Sequence, residues 1–256
     1  MTMNTSIDSN DLAGTTAIVT GASRGFGRAV ATALVTSGAH VVGVARTQAD
    51  LDAVHAALGD GFVGVAADAA NPATADRLLE QYNPHTVVLC AGAAPQMSAL
   101  QDQTWETFSE NWNVDVAQAF YWVRRVLQTP LRPRSSVIAF SSGAAIKGSP
   151  LSGGYAGANA TVRFITSYAA IESQRAGLDV DFVSVLPQLT PSTDLGAKAV
   201  AAYAERQGVS LDDFIEGLGP ALVPELVGKS VLELVGAERR GHGSYVLSAA
   251  GLSEIP

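Results

Sequence analysis

Thr20-Gly21-Ala22-Ser23-Arg24-Gly25-Phe26-Gly27 is the stretch of this 256-residue chain whose residue types and spacing point most directly to chemistry. It follows a short β-branched run, Thr16–Thr20, and opens a helical pattern. There Gly21 permits a tight turn, Gly25 lets backbone approach a pyrophosphate, and Gly27 lets the helix pack close to the strand. Backbone N–H groups at such a helix start can hold phosphate oxygens. Placed between a first strand and a helix, the glycines read as a nucleotide loop rather than as a merely tight turn. Metal chemistry is not expected. His40, His55, His85 and His242 are scattered without ligand spacing, and there is no cysteine cluster. Cys90, the single cysteine, reads as a buried strand residue without an activating neighbour.

The elements that must carry this loop alternate. Apolar β-branched runs at 16–20, 40–45, 62–67, 86–90, 136–140 and 181–186 read as strands. They are apolar on both faces, as in a parallel sheet covered on two sides. Helical patterns fall between them at about 25–37, 48–58, 72–82, 103–128 and 154–176. That alternation predicts an α/β fold, a doubly wound parallel sheet (Rossmann fold) in a single domain over residues 12–256, with residues 1–11 a flexible N-terminus. Helices at 194–207, 211–218 and 223–235 interrupt the rhythm before a last strand near 244–248. Material at about 190–220 is expected to cap a pocket beyond the carboxyl ends of the strands.

Composition narrows the class. With 47% hydrophobic and 16% charged residues the chain is no disordered polymer, and no apolar run reaches the ~18 residues of a membrane span. Residues 1–12 hold no Lys or Arg and no apolar stretch, so no leader is expected. One cysteine suits a cytoplasmic location, and a net charge of −8 opposes binding to nucleic acid.

Taken with further motifs, the sequence resembles the short-chain dehydrogenase/reductase family. The loop has the TGxxxGxG spacing, and Cys90-Ala91-Gly92 stands where the family has Asn-Ala-Gly. Asp68 follows the third strand, where the family places an acid against the adenine ring. Ser142 and Tyr155 keep the family's interval of thirteen residues, and Pro187 ends the sixth strand with Gln188 in place of glycine. The resemblance implies a nicotinamide cofactor held by Gly21, Ser23, Arg24, Gly25, Phe26, Gly27, Arg46, Asp68, Ala91, Gly92, Tyr155, Asn159 and Pro187. Ala45 stands where a carboxylate would select NAD, while Arg24 and Arg46 offer guanidinium groups to a 2′-phosphate, so NADP(H) is expected.

In that family a tyrosine exchanges a proton with the substrate oxygen, a serine binds that oxygen, and a lysine one turn beyond the tyrosine lowers its pKa. Tyr155 and Ser142 match, but Asn159 replaces the lysine, and Asp115 falls at the asparagine of the proton relay. A two-residue slip in register would place Asn113 there instead. Both departures disfavour tyrosinate. Arg163, two turns beyond Tyr155, and Lys147 are the cations that could substitute; Arg163 reads more simply as an exposed or interface residue.

The expected activity is NADP(H)-dependent reduction of a carbonyl, imine or enone, with Tyr155 as acid and Ser142 holding the substrate oxygen. A non-redox cyclase, isomerase or lyase on the same scaffold, and a non-enzymatic NADP(H)-binding regulator, remain open. Substrate walls are expected at 93–100, 144–152 and 189–214, with Met97, Ile146, Leu151, Leu189 and Phe214 suiting a neutral, fairly apolar molecule. The resemblance also implies a homodimer or homotetramer built on helices 103–128 and 154–176.

Overall fold

A computed structural model of the chain describes residues 12–236 and 241–256. The terminus expected to be flexible, residues 1–11, lies outside the described residues. The strands are β1 (Thr16–Thr20), β2 (His40–Ala45), β3 (Phe62–Ala66), β4 (Thr86–Leu89), β5 (Ser135–Phe140), β6 (Val180–Pro187), β7 (Gly243–Ser248) and β8 (Gly251–Ile255). They form an 8-stranded sheet in the order β3-β2-β1-β4-β5-β6-β7-β8. Every neighbouring pair is parallel except β7 and β8, which form an antiparallel hairpin at the sheet edge.

The helices are α1 (Gly25–Thr36), α2 (Gln48–Leu58), α3 (Pro72–Tyr82), α4 (Trp105–Asn111), α5 (Ala117–Gln128), α6 (Ala144–Lys147), α7 (Gly153–Ala176), α8 (Asp194–Gln207), α9 (Leu211–Leu218) and α10 (Pro224–Val235). Alternate residues of the central strands feed two apolar cores. Val19, Val41 and Val183 pack with Val30 and Leu34 of α1 and Val231 of α10. Ile18, Val42 and Phe182 pack on the other face with Leu78 of α3, Trp122 of α5 and Val162 of α7. Burying both faces is what lets β1, β4 and β5 carry consecutive apolar residues at their centres. Trp122 is fully buried, and its indole N–H donates to the Ala69 carbonyl at 2.9 Å, so its polar edge is satisfied.

Three departures from the sequence expectation have physical causes. The helix expected over 103–128 starts only at Trp105, because Thr104 and Thr107 form a reciprocal cap. It is then divided by a turn of π-helix over Trp112–Val116, with no Pro or Gly to announce it. The third strand stops at Ala66 and is partly exposed, Val63 being 36% accessible, because β3 is an edge strand with one neighbour. The edge strand β8, which lacks a clear apolar alternation, was not expected at all; it pairs back on β7 through residues 248–251.

Strand order reverses direction at β1, which pairs with β2 on one side and β4 on the other. Loops leaving the carboxyl ends of β1 and β4 therefore part there, and a crevice opens between them.

Candidate active site

A single cleft of about 1510 Å³ occupies that crevice, larger than the ~300–1,000 Å³ of an ordinary small-molecule pocket. Every site residue named from the sequence lines it. The glycine loop is shaped by contact. Gly21 adopts a φ of +68°, and a Cβ there would lie 2.8 Å from the Ala91 nitrogen. A Cβ on Gly27 would meet the Gly21 carbonyl oxygen at 2.2 Å, so the first turn of α1 can close onto the loop only with glycine. Beneath it the buried Thr20 hydroxyl accepts from the Cys90 and Ala91 N–H groups at 2.9 and 3.2 Å. That ties the end of β1 to the end of β4 across the switch point.

At the next layer Asp115, 8% exposed, and Asn111, 1% exposed, hold both polar groups of the Ala93 peptide. The Ala93 N–H donates to Asp115 Oδ1 at 2.8 Å, and Asn111 Nδ2 donates to the Ala93 carbonyl at 2.8 Å and to Asp115 Oδ2 at 3.0 Å. The π turn begins immediately after Asn111 and contains Asp115, so the helix irregularity coincides with this clamp. Asn113 is exposed and does not line the cleft, whereas Asp115 is buried and does. Burial pushes the Asp115 carboxyl up from 3.8 to about 7, against the downward pull of its bonds from Ala93 and Asn111; nearby Glu110 adds to the rise.

Tyr155 stands half-buried on the cleft wall, on the first turn of α7. Burial raises its phenol to about 12; a hydrogen bond with Ser142 pulls down, while Asp115 and Cys90 push further up. None of these influences is a cation. The Ser142 hydroxyl, at the mouth of β5, also accepts from the Ala144 N–H at 3.2 Å. Asn159 is buried, and its amide folds back on its own helix: Nδ2 donates to the Tyr155 carbonyl at 2.9 Å, while its main-chain carbonyl accepts from the Ser141 hydroxyl at 2.9 Å. One amide hydrogen and Oδ1 remain for a ligand. Cys90, on the floor, has its thiol raised to about 12 by burial, which suits an inert strand-end residue.

The candidate substitute cations part company. Arg163 does not line the cleft; it donates through Nε to Ser244 Oγ at 3.2 Å and bonds the Pro256 carbonyl. Lys147 does line the cleft, as an exposed side chain. Arg24 and Arg46 both line it and are exposed, Arg24 lying 3.9 Å from Asp194 in an open ion pair of small energetic weight. Asp68 accepts from the Ala70 N–H at 2.9 Å, which fixes its turn at the cleft edge. Of the expected wall residues, Met97, Ile146, Leu189 and Phe214 line the cleft, whereas Leu151 is buried away from it. Sequence reasoning missed Asn111, Gln118 and Tyr203, all on the lining or in its support; only Asn111 had a signal, its four-residue spacing from Asp115 on one helix face.

The histidines have structural duties. His85 Nδ1 accepts from the Thr16 N–H at 3.2 Å, His242 Nδ1 accepts from the Phe182 N–H at 3.0 Å, and His55 Nδ1 bonds the Phe62 carbonyl at 2.7 Å. Among the described residues no three His, Cys, Asp or Glu side chains converge as metal ligands.

Residues 15–204 match the short chain dehydrogenase family, and the chain belongs to it. An L-xylulose reductase from Mesocricetus auratus is 36% identical over 105 residues, 41% of this chain and only 43% of that one. An L-xylulose reductase from Bos taurus is 28% identical over 183 residues, covering 70% of this chain and 74% of its own. In fold, the chain superimposes on the 3-ketoacyl-(acyl-carrier-protein) reductase from Brucella melitensis complexed with NADH with a TM-score of 0.73, at 22% identity, over 89% of this chain and 93% of that one. Among the described residues no helix is long and apolar enough to cross a membrane.

Raised acidity constants have a thermodynamic consequence. Between 3.8 and about 7 the native chain keeps a proton on Asp115 that the unfolded chain has released. Stability from this group is therefore complete below about pH 4 and lost as pH rises toward 7, with a slope of up to about 1.4 kcal/mol per pH unit. Urea unfolding at several pH values should show the stability difference between the native chain and Asp115→Asn moving toward the variant across this window. A difference independent of pH would contradict the assignment.

Proposed function

We propose that this protein is an NADP(H)-dependent reductase of a carbonyl, imine or enone on a neutral, fairly apolar small molecule, acting in the cytoplasm. The observation that carries the reading is the convergence of Tyr155, Ser142 and the glycine loop on one cleft. The cleft suits a nicotinamide dinucleotide. Gly25 adopts a φ of +53° and a Cβ there would have only the Thr193 methyl within reach, at 3.9 Å, so the loop backbone is open to a phosphate. Arg24 and Arg46 would pair with the 2′-phosphate, Asp68 would meet the adenine, and Ala91, Gly92 and Pro187 would flank the nicotinamide end.

The chemistry that a reduced nicotinamide supplies when bound is a hydride for the carbonyl carbon. Ser142 Oγ donates a hydrogen bond to the substrate oxygen and fixes it beside the phenol. Tyr155 holds the proton that this oxygen takes up. A phenol raised to about 12 is protonated in all but about one molecule in a hundred thousand at pH 7, so the acid is always loaded for reduction. Oxidation would need the phenolate, which no cation among the described residues stabilises, so the cleft favours the reductive direction near neutral pH. Asp115 acts by holding the Ala93 peptide through its side chain, and Asn159 offers its remaining amide hydrogen to a ribose hydroxyl. A non-redox reaction in the same cleft is the second reading, favoured by that lack of a cation.

Assembly is part of the proposal. Phe164, Tyr168 and Ile171 of α7 are 52, 62 and 59% exposed at one-turn spacing, and Phe120 of the adjacent α5 is 48% exposed. Such an apolar face on paired helices suits a two-fold interface with a second copy, giving a dimer or a tetramer.

Calorimetric titration is expected to show NADPH binding more tightly than NADH, with Arg24→Ala and Arg46→Ala erasing the difference; equal affinities in the native protein would refute the cofactor assignment. With cofactor bound, Tyr155→Phe should abolish NADPH consumption on any accepted ketone, and unchanged turnover would mean that the acid lies elsewhere. Light scattering should give at least twice the 26.4 kDa chain mass, falling to one chain in Tyr168→Glu. A native monomer at micromolar concentration would contradict the assembly.

A further inference from the structure

Beyond Ser142 and Tyr155, the cleft is closed by the capping helices. Tyr203 of α8 and Phe214 of α9 both line it, half-buried, with ring centroids 6.4 Å apart and planes within 5° of parallel. The Tyr203 hydroxyl is already engaged: it bonds Ser149 Oγ, which bonds Ser152 Oγ at 2.6 Å. That hydroxyl chain joins α8 to the segment between α6 and α7, so the tyrosine is anchored at its polar tip to the loop that precedes Tyr155. What it has left to offer a ligand is ring surface. Met97, Ile146, Leu195 and Leu218 add apolar surface to the same cleft, and Lys147 and Lys198 at this end are exposed side chains.

We infer that the substrate is a flat, ring-bearing ketone whose ring system lies against the Tyr203–Phe214 pair while its carbonyl reaches Ser142 and Tyr155. The inference rests on the carbonyl-reductase reading above and narrows it. Two parallel aromatic rings favour a further planar ring in offset stacking over a puckered one of equal size. A polyhydroxylated ketone would instead set its hydroxyls against the Tyr203 and Phe214 ring faces, which offer them no hydrogen-bond partners. The Tyr203–Ser149 bond has the further effect of holding the stacking surface at a constant height above the catalytic pair, because both hydroxyl partners sit on one connection with α7.

The test is calorimetric binding to the cofactor-loaded protein, with fluorenone, dicyclohexyl ketone of the same carbon count, and a ketopentose as probes. Fluorenone is expected to bind at least about fivefold more tightly than the saturated ketone, and the ketopentose far more weakly than either. Phe214→Leu, which keeps an apolar side chain, should remove the preference for the flat ring, while Tyr203→Phe should retain it. Equal or tighter binding of dicyclohexyl ketone, comparable binding of the ketopentose, or a preference that survives Phe214→Leu would each overturn the inference. The comparison in the native protein stands even where a variant fails to fold. Fluorenone bound with the expected preference but never reduced would contradict the reductase reading and leave this inference supported.

Discussion

Two acids share one cleft, and among the described residues no positive charge contributes to the acidity of either. Burial raises Tyr155 to about 12 and Asp115 to about 7, and the Asp115 charge adds to the rise at Tyr155. The bonds that Asp115 accepts pull the other way, toward the carboxylate. Asp115 is bonded by the Ala93 N–H and by Asn111, and α4 and α5 are separated by a π turn at that point. Asn159 spends an amide hydrogen on its own helix, donating to the Tyr155 carbonyl. On the proposed reading, the Tyr155 phenol is a proton donor loaded at neutral pH.

The clamp also links chemistry to scaffold. Ala93 follows the β4 end, which Thr20 ties to β1, which in turn carries the glycine loop. The glycine loop, the floor of the cleft and the α4–α5 region are thus joined through short sets of hydrogen bonds. These bonds are part-buried or buried, so losing one partner and leaving the other unpaired costs up to about 1–3 kcal/mol. The capping helix α8 is attached to the segment before α7 through hydroxyl contacts, Tyr203 with Ser149.

Much of this was legible in the sequence because it rests on local rules. β1 and β2 fall at 16–20 and 40–45 as expected, since strands buried on both faces carry runs of consecutive apolar residues. The helices at 194–207 and 211–218 also fall where expected, each opened by a Thr193 or Ser210 cap. What escaped depends on partners distant in sequence. The π turn at Trp112–Val116 goes with a bond to Ala93, about twenty residues away, and nothing in the helical pattern marks it. Tyr203 becomes a cleft residue only because α8 folds over Ser149, 54 positions earlier. The expectation that Asn159 stands in place of a lysine came from the sequence, but the direction of its amide did not, since it turns back on a backbone carbonyl, Tyr155, that carries no side-chain signal.

The account stands on Tyr155 being a neutral acid without a cationic neighbour. NMR of the cofactor-loaded protein labelled at the tyrosine ζ-carbon measures that directly, with Tyr155→Phe assigning the signal. The resonance should remain that of a phenol at pH ~10, the ordinary tyrosine midpoint, and move to lower pH by at least about one unit in Asn159→Lys. A Tyr155 already half-ionised at or below that ordinary midpoint, or one unaffected by Asn159→Lys, would contradict it.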